Sequence, residues 1–250
     1  MIYGLYNSAA GMLTSEYRQA VLANNIANAD TVGFRRDIAT FAERVPARAA
    51  GIRQGASAVD LAGLSGGMWL GETFTDHTAG TPVATGNPYD VALDGPGFLA
   101  VEVDGQTLYT RDGRMTRRDD GLLVAASDGA PILGRGGMPI RLNPHGGDIS
   151  VDTQGRVQQD GAVVGELELV DFANYGTLHK AGAARFAGPA EGTVEAPVLV
   201  QAGYVESASV QPVNELVSMI QAAHAYQMNA RMIALQDESA GKLINVVLRT

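Results

Sequence analysis

The pattern of apolar and polar positions changes twice along this chain. Near the start, Tyr3, Tyr6, Ala10, Leu13, Tyr17, Ala20, Asn24 and Ala27 alternate in steps of three and four, which puts them on one seam of a helix. The alanines in that seam are small enough for close approach, and Asn24 is a polar residue of the kind that sets register at some cost in stability. The same rhythm returns near the end in Leu216, Met219, Ala223, Tyr226, Ala230, Ile233, Asp237, Ala240, Ile244 and Val247, long enough for a coiled-coil type of seam. Two such ends pack together or against copies of the chain. Periodicity alone leaves both open, because an apolar stripe most often buries a protein's own core.

Between the helices the long rhythm stops. Short apolar runs punctuated by Gly and Pro predict strands at Tyr89 to Leu93, Phe98 to Val103, Thr107 to Thr110, Leu122 to Ala125, Ile149 to Val151, Arg156 to Gln159, Val163 to Val170 and Val198 to Glu206. The Asp-Gly pairs at 104–105, 112–113, 120–121, 128–129 and 160–161 are turn signals, since both residues tolerate positive φ. The expected fold class is α+β, a mainly-β domain of short antiparallel strands flanked by helices that pair as a coiled-coil-like stalk. The expected segments are an N-terminal helix and turn over 1–34, an extended Gly/Ala-rich connector over 35–80, the β domain over 81–207 and a C-terminal helix over 208–250. Within the connector, Asp37 to Phe41 fits strand or helix, and 51–71 reads as partly ordered. The Asn cluster at the end of the first helix offers amides for the last free carbonyls, and Gly33 allows a left-handed turn. Asn214 or the residues before it cap the second helix, with Glu215 in its first turn.

Composition narrows the function. The chain has 250 residues, 46% of them hydrophobic and 18% charged, which is a folded protein with room for a core. A net charge of -9 argues against a phosphate-tracking surface, so no nucleic-acid partner is expected. No run approaches the roughly 20 apolar residues of a spanning helix, and the start lacks a secretory pattern, so neither membrane insertion nor a cleaved signal peptide is expected. The absence of cysteine removes thiolate metal sites and Cys nucleophiles.

Signals for chemistry are weak. Gly63-Leu64-Ser65-Gly66-Gly67 matches a nucleophile elbow, but no buried strand precedes Ser65 and no convincing helix follows it. His77, His145, His179 and His224 lack metal-ligand spacing, and Gly134 to Gly137 opens no helix. No catalytic group, metal or cofactor is expected. A helix-stalked adhesin is a further alternative, which an exposed aromatic cluster on the β domain would favour. Tyr89, Phe98, Tyr109, Phe172, Tyr175 and Phe186 are instead spread through apolar runs.

Four stretches carry a resemblance to a known family. They are Asn24 to Asn28 with Thr31-Val32-Gly33-Phe34-Arg35, then Asp90 to Val101, then Tyr109 to Met115, and last Asn214 through Met219, Tyr226, Asn229 and Arg231. In this order they resemble the rod and hook proteins, the axial family of the bacterial flagellum. The departures are Leu99 and Met115 where Phe is common, and His224 and Gln227 where Arg and Glu are typical. Length is similar to that of the two mid-length rod members, and the opening Met1 to Tyr6 with the divergent 39–80 connector favours the proximal over the distal one.

The resemblance implies a structural rod subunit of the basal body. It further implies a periplasmic place, export through the flagellar type III apparatus, and partners that are other rod subunits and copies of itself. It implies assembly residues Tyr6, Ala10, Leu13, Tyr17, Ala20, Asn24, Asn25, Asn28, Gly33 and Phe34 at one end. At the other end they are Leu216, Met219, Ala223, Tyr226, Ala230, Ile233 and Ile244. Arg35 and Arg36 are expected to meet an acidic surface of a neighbouring subunit, the alternative being that they keep the turn solvated. Helices that expose their seam alone are expected to be partly disordered until assembly orders them.

Overall fold

The computed structural model describes residues 2–43, 67–189 and 193–247. Two compact units divide the chain. A helical unit takes Met1–Ala27, Asp37–Thr75 and Gln211–Thr250, and a strand unit takes Asn28–Arg36 and Asp76–Val210.

In the helical unit, α1 (Ile2–Ala27) and α2 (Pro212–Val247) lie antiparallel. Gly4 faces Gln236, Gly11 faces Asn229, and Asn25 meets Glu215. The face that α1 turns to α2 is therefore small and polar. A Cβ on Gly4 or Gly11 would sit 2.7 Å from the facing amide. The buried hydroxyls of Thr14 and Ser15 bond back to the Gly11 carbonyl, so close approach strands neither of them. The helices do pair within one chain, but along a different stripe of α1 from the Tyr/Leu seam that periodicity picks out.

Gln211 precedes Pro212, the first residue of α2, where the missing proline N–H costs nothing. Asn214 thus lies inside the first turn, bonding Gln211 rather than capping, while Glu215 is in the first turn as expected. Part of the expected connector is regular: Asp37–Glu43 pairs antiparallel with Met68–Thr75. The Ser65 motif and the stretch 44–66 lie outside the described residues.

The strand unit centres on a six-stranded antiparallel sheet in the order His179–Lys180, Arg185–Ala187, Gln106–Thr110, Phe98–Val103, Leu169–Phe172, Thr193–Glu195. Phe98–Val103 is buried on both faces. Leu99 and Val101 join one cluster with Val91, Leu123, Ile132 and Val200, whereas Phe98 and Ala100 join another with Tyr109, Phe172 and Phe186. Each such side chain contributes about 1.5–3 kcal/mol on leaving water, which is why this run reads as continuously apolar instead of alternating. The returning chain runs beside the entering one: Leu199–Ala202 pairs with Val91–Asp94, and Tyr204–Glu206 with Pro82–Ala84.

Five expected strands coincide with the structure to within a residue, the one expected from Tyr89 starts two residues later at Val91, and the two long ones each split in two. Turn chemistry holds at Asp104-Gly105 and Asp160-Gly161, where both residues of each pair have positive φ. It does not hold at Asp112-Gly113, where Asp112 is buried and bonds the Arg114 guanidinium. Gly134 to Gly137 is the turn between two short paired strands, not a cradle for a dinucleotide.

Candidate assembly interface

The signature Gly33-Phe34-Arg35 is spent inside the strand unit. Residues 33–36 run beside 206–209: the Gly33 N–H donates to the Glu206 carbonyl at 2.8 Å, the Ser209 N–H to the Phe34 carbonyl at 3.0 Å, and the Arg36 N–H to the Ser209 hydroxyl at 3.1 Å. Gly33 has φ 69°, and a Cβ there would lie 2.4 Å from the Arg111 carbonyl carbon. Phe34 is buried beneath the Lys180 ammonium, 4.2 Å from the ring centre, and Lys180 also donates to the Arg35 carbonyl.

Arg35 corrects an expectation. Its side chain is 1% exposed and pairs with Glu206 at 2.6 Å, donating also to the Thr78 carbonyl. Arg36 pairs with Asp76 at 2.9 Å. Both arginines therefore meet carboxylates of their own chain. Glu206 takes a second cation on its other oxygen, Arg111 at 3.2 Å, and Arg111 donates to the carbonyls of Leu93 and Gly95. Burial pushes the Arg111 guanidinium down, against the pull of Glu206.

Beside this cluster the aromatic residues that are scattered in sequence converge. His77 stacks on Tyr175 at 4.9 Å and approaches Phe98 and Phe186, and Phe98 and Tyr109 both meet Phe172 edge-on. The cluster is inside the unit, so it does not form the exposed platform of an adhesin. Burial, then the charges of Arg35, Lys180 and Arg111 against the opposing Asp76, hold the His77 imidazole down at about 4.

The fold accordingly favours neutral His77, and acid favours the unfolded chain. Stability from this residue is full above about pH 6.5 and is lost as pH falls toward 4. After allowance for solvent screening the loss is about 1–2 kcal/mol. The Asp76 carboxyl, held down to about 2, acts only in a lower window, between about 3.8 and 2. Thermal melts at pH 7.5 and 4.5 are expected to show a smaller acid-induced drop in His77→Phe than in the wild type; equal drops would remove His77 from the account.

In the helical unit Asn25, 1% exposed, acts as a staple. Its amide donates to the Asp37 carbonyl at 2.8 Å and to Glu215, and its carbonyl accepts from the Asp37 N–H at 2.9 Å. The expected use of these amides on the helix's own last carbonyls is replaced at Asn25 by bonds that fix the strand after the turn. Asn28 bonds Thr31 in the turn itself.

The remaining nominated residues face outward or sit at the edge of the helix pair. Tyr6 and Leu13 are each 68% exposed, and Ala20, Asn24, Leu216 and Ile244 are exposed as well. Ala10, Tyr17, Met219, Ala223, Tyr226, Ala230 and Ile233 are half-buried. Sequence periodicity missed the Gly4, Ser8, Gly11 and Ser15 face, because small and polar residues leave no hydrophobic signal.

Three family models match in chain order. Residues 5–35 match the flagella basal body rod protein model, 92–159 the flagellar hook protein FlgE/F/G D1 domain, and 201–246 the flagellar basal body rod FlgEFG protein C-terminal model. Among relatives, the flagellar basal-body rod protein FlgG of Buchnera aphidicola subsp. Schizaphis graminum is 32% identical over 97% of this chain and 99% of its own. The chain belongs to the flagellar basal-body rod protein family. This rod subunit is also 32% identical to FlgG of Caulobacter vibrioides, over 94% of the chain and 95% of the relative. It is 34% identical to FlgF of the same organism, over 92% and 91%. It is thus a structural subunit of the flagellar basal body, assembling there with other rod subunits, and both the FlgG and FlgF kinds match it. The matched segments include the Gly33-Phe34-Arg35 turn and the Glu206 that receives it.

Proposed function

We propose that this subunit polymerises, with copies of itself and with other rod subunits, through the outward faces of its two terminal helices, forming the torque-transmitting shaft. One observation carries the reading: α1 meets α2 along small residues, Gly4 and Gly11 against the amides of Gln236 and Asn229, while Tyr6, Leu13, Leu216 and Ile220 remain in water. A helix pair built to stand alone would bury its large apolar side chains and expose its small polar ones. The interface is heterologous, as an open helical array requires. The subunit works by packing and carries out no catalysis. It is exported through the flagellar type III apparatus and occupies the periplasmic rod, its helix ends ordering fully on assembly.

We place it proximally on the opening residues and the divergent connector, the distal place being the alternative. Immunogold label on isolated basal bodies at the hook end would overturn the proximal position.

Tyr6→Asp and Leu216→Asp are expected to leave the circular dichroism spectrum of the purified chain unchanged and to abolish rescue of motility in a strain lacking this gene. Rescue by both variants at wild-type level would overturn polymerisation through the outer helix faces.

A further inference from the structure

The helical unit carries an apolar groove of about 640 Å³ between α1 and the strand Met68–Thr75. Leu13, Tyr17, Met68, Trp69 and Leu70 line it, and Glu16 is the one carboxylate among the described residues that do. Leu13, Met68, Trp69 and Leu70 are all well exposed, an arrangement that costs free energy in water unless something covers it.

A second unexplained surface lies on α2. Its contact with α1 uses Glu215, Ala222, Asn229 and Gln236. Nearly opposite runs a second stripe, Val213, Val217, Ile220, His224, Met228, Arg231 and Leu235, in the same steps of three and four, and every member is exposed. That spacing is a narrow coiled-coil-type seam, the shape a groove beside a helix accepts. His224 and Arg231 are the only residues between Leu216 and Gln236 that carry or gain positive charge, and none there is acidic. Both sit in this stripe.

We infer that the groove of one subunit receives the outer α2 stripe of a second copy of this chain, with Arg231 of the incoming helix meeting Glu16. The inference rests on the polymerisation proposed above and names its contact. Charge selects the pairing. Groove against groove would bring Glu16 to Glu16, and stripe against stripe would set two Arg231-bearing faces with no carboxylate against each other, both repulsive. Groove and stripe are different patches of one molecule, so each subunit offers one to either neighbour and the contact propagates without closing on a pair.

Because the chain has no cysteine, the contact can be trapped directly. Leu70→Cys and Met228→Cys are placed in separately tagged copies, co-expressed, and treated with a short bismaleimide in isolated basal bodies. A linked pair bearing one of each tag is expected, and none when either cysteine is absent. Independently, Glu16→Arg and Arg231→Glu are each expected to cut incorporation into rods about tenfold, and the two together in one chain to restore it. Normal rods without the mixed link, or a link to a different protein, overturn the docking while leaving polymerisation intact. Should the cysteine copies stay out of rods, the charge exchange decides, and failure of the double variant to recover overturns the pairing. If Tyr6→Asp and Leu216→Asp subunits, altered outside groove and stripe, assemble normally, it is the polymerisation reading that falls.

Discussion

Glu206→Gln is expected to lower the stability of the strand unit by about 3–5 kcal/mol, the usual cost of removing one partner from a buried ion pair. The geometry puts it at the upper end. One carboxylate serves two guanidiniums, Arg35 at 2.6 Å and Arg111 at 3.2 Å, and all three side chains are at most 4% exposed. Glutamine keeps the volume and one acceptor but leaves two cations in the interior without a counter-charge. The Nε of both arginines already lacks an acceptor among the described residues, so little is left over to compensate. At about 2–4 °C per kcal/mol, calorimetry is expected to show the strand-unit transition falling by roughly 10 °C. Combining Glu206→Leu with Arg35→Met and Arg111→Leu is expected to recover much of this, since an apolar replacement of the whole cluster leaves no charge stranded. A loss below about 1 kcal/mol for Glu206→Gln would mean that the cluster is solvated.

Gly33→Val is expected to cost more than about 3 kcal/mol. Two terms add. The positive φ alone strains any residue with a Cβ, by about 1–3 kcal/mol and most for a β-branched one. Here the Cβ also meets backbone, 2.4 Å from the Arg111 carbonyl carbon and 2.5 Å from the Asp112 nitrogen, and backbone cannot swing aside as a side-chain tip can. The pair Gly33→Ala and Gly86→Ala separates the terms, because Gly86 has φ 71° with nothing within 4 Å of the added carbon. Gly86→Ala is expected to cost about 1 kcal/mol, and Gly33→Ala at least twice that, in denaturant melts. Equal costs would show that the chain relaxes around position 33.

These two positions also show what a sequence does and does not reveal. Gly33 was legible as a left-handed turn because only backbone conformation was at stake, and that is a local property. Arg35 was misread. As a charged residue beside another arginine it looked like a surface group, and nothing near it in sequence announces Glu206, its partner across the whole strand unit. The aromatic cluster behaved likewise: Phe98, Phe172 and Phe186 sit in separate apolar runs and become one cluster only when the six-stranded sheet brings their strands side by side.

The terminal helices were predicted from periodicity and lie where it put them, but their orientation was not legible. Tyr6 and Leu13 in the apolar seam of α1 face water while Tyr17 bonds Thr73 on the neighbouring strand, and the contact with α2 uses Gly4, Ser8, Gly11 and Ser15. A hydrophobic pattern reports which face avoids water; it does not say whether the cover comes from the same chain.

By itself, then, the sequence determined the elements: two long helices from their three-and-four rhythm, short strands from apolar runs set between turn residues, and turns from Asp-Gly pairs at 104–105 and 160–161. These rest on interactions between residues a few positions apart. It also determined the family, through four ordered stretches. Tertiary structure alone decided which carboxylate neutralises Arg35 and Arg111, why Gly33 admits no side chain, and which face of each helix stays exposed. Those depend on pairs far apart in the chain, whose distances exist only after the strands have paired and the helices have docked.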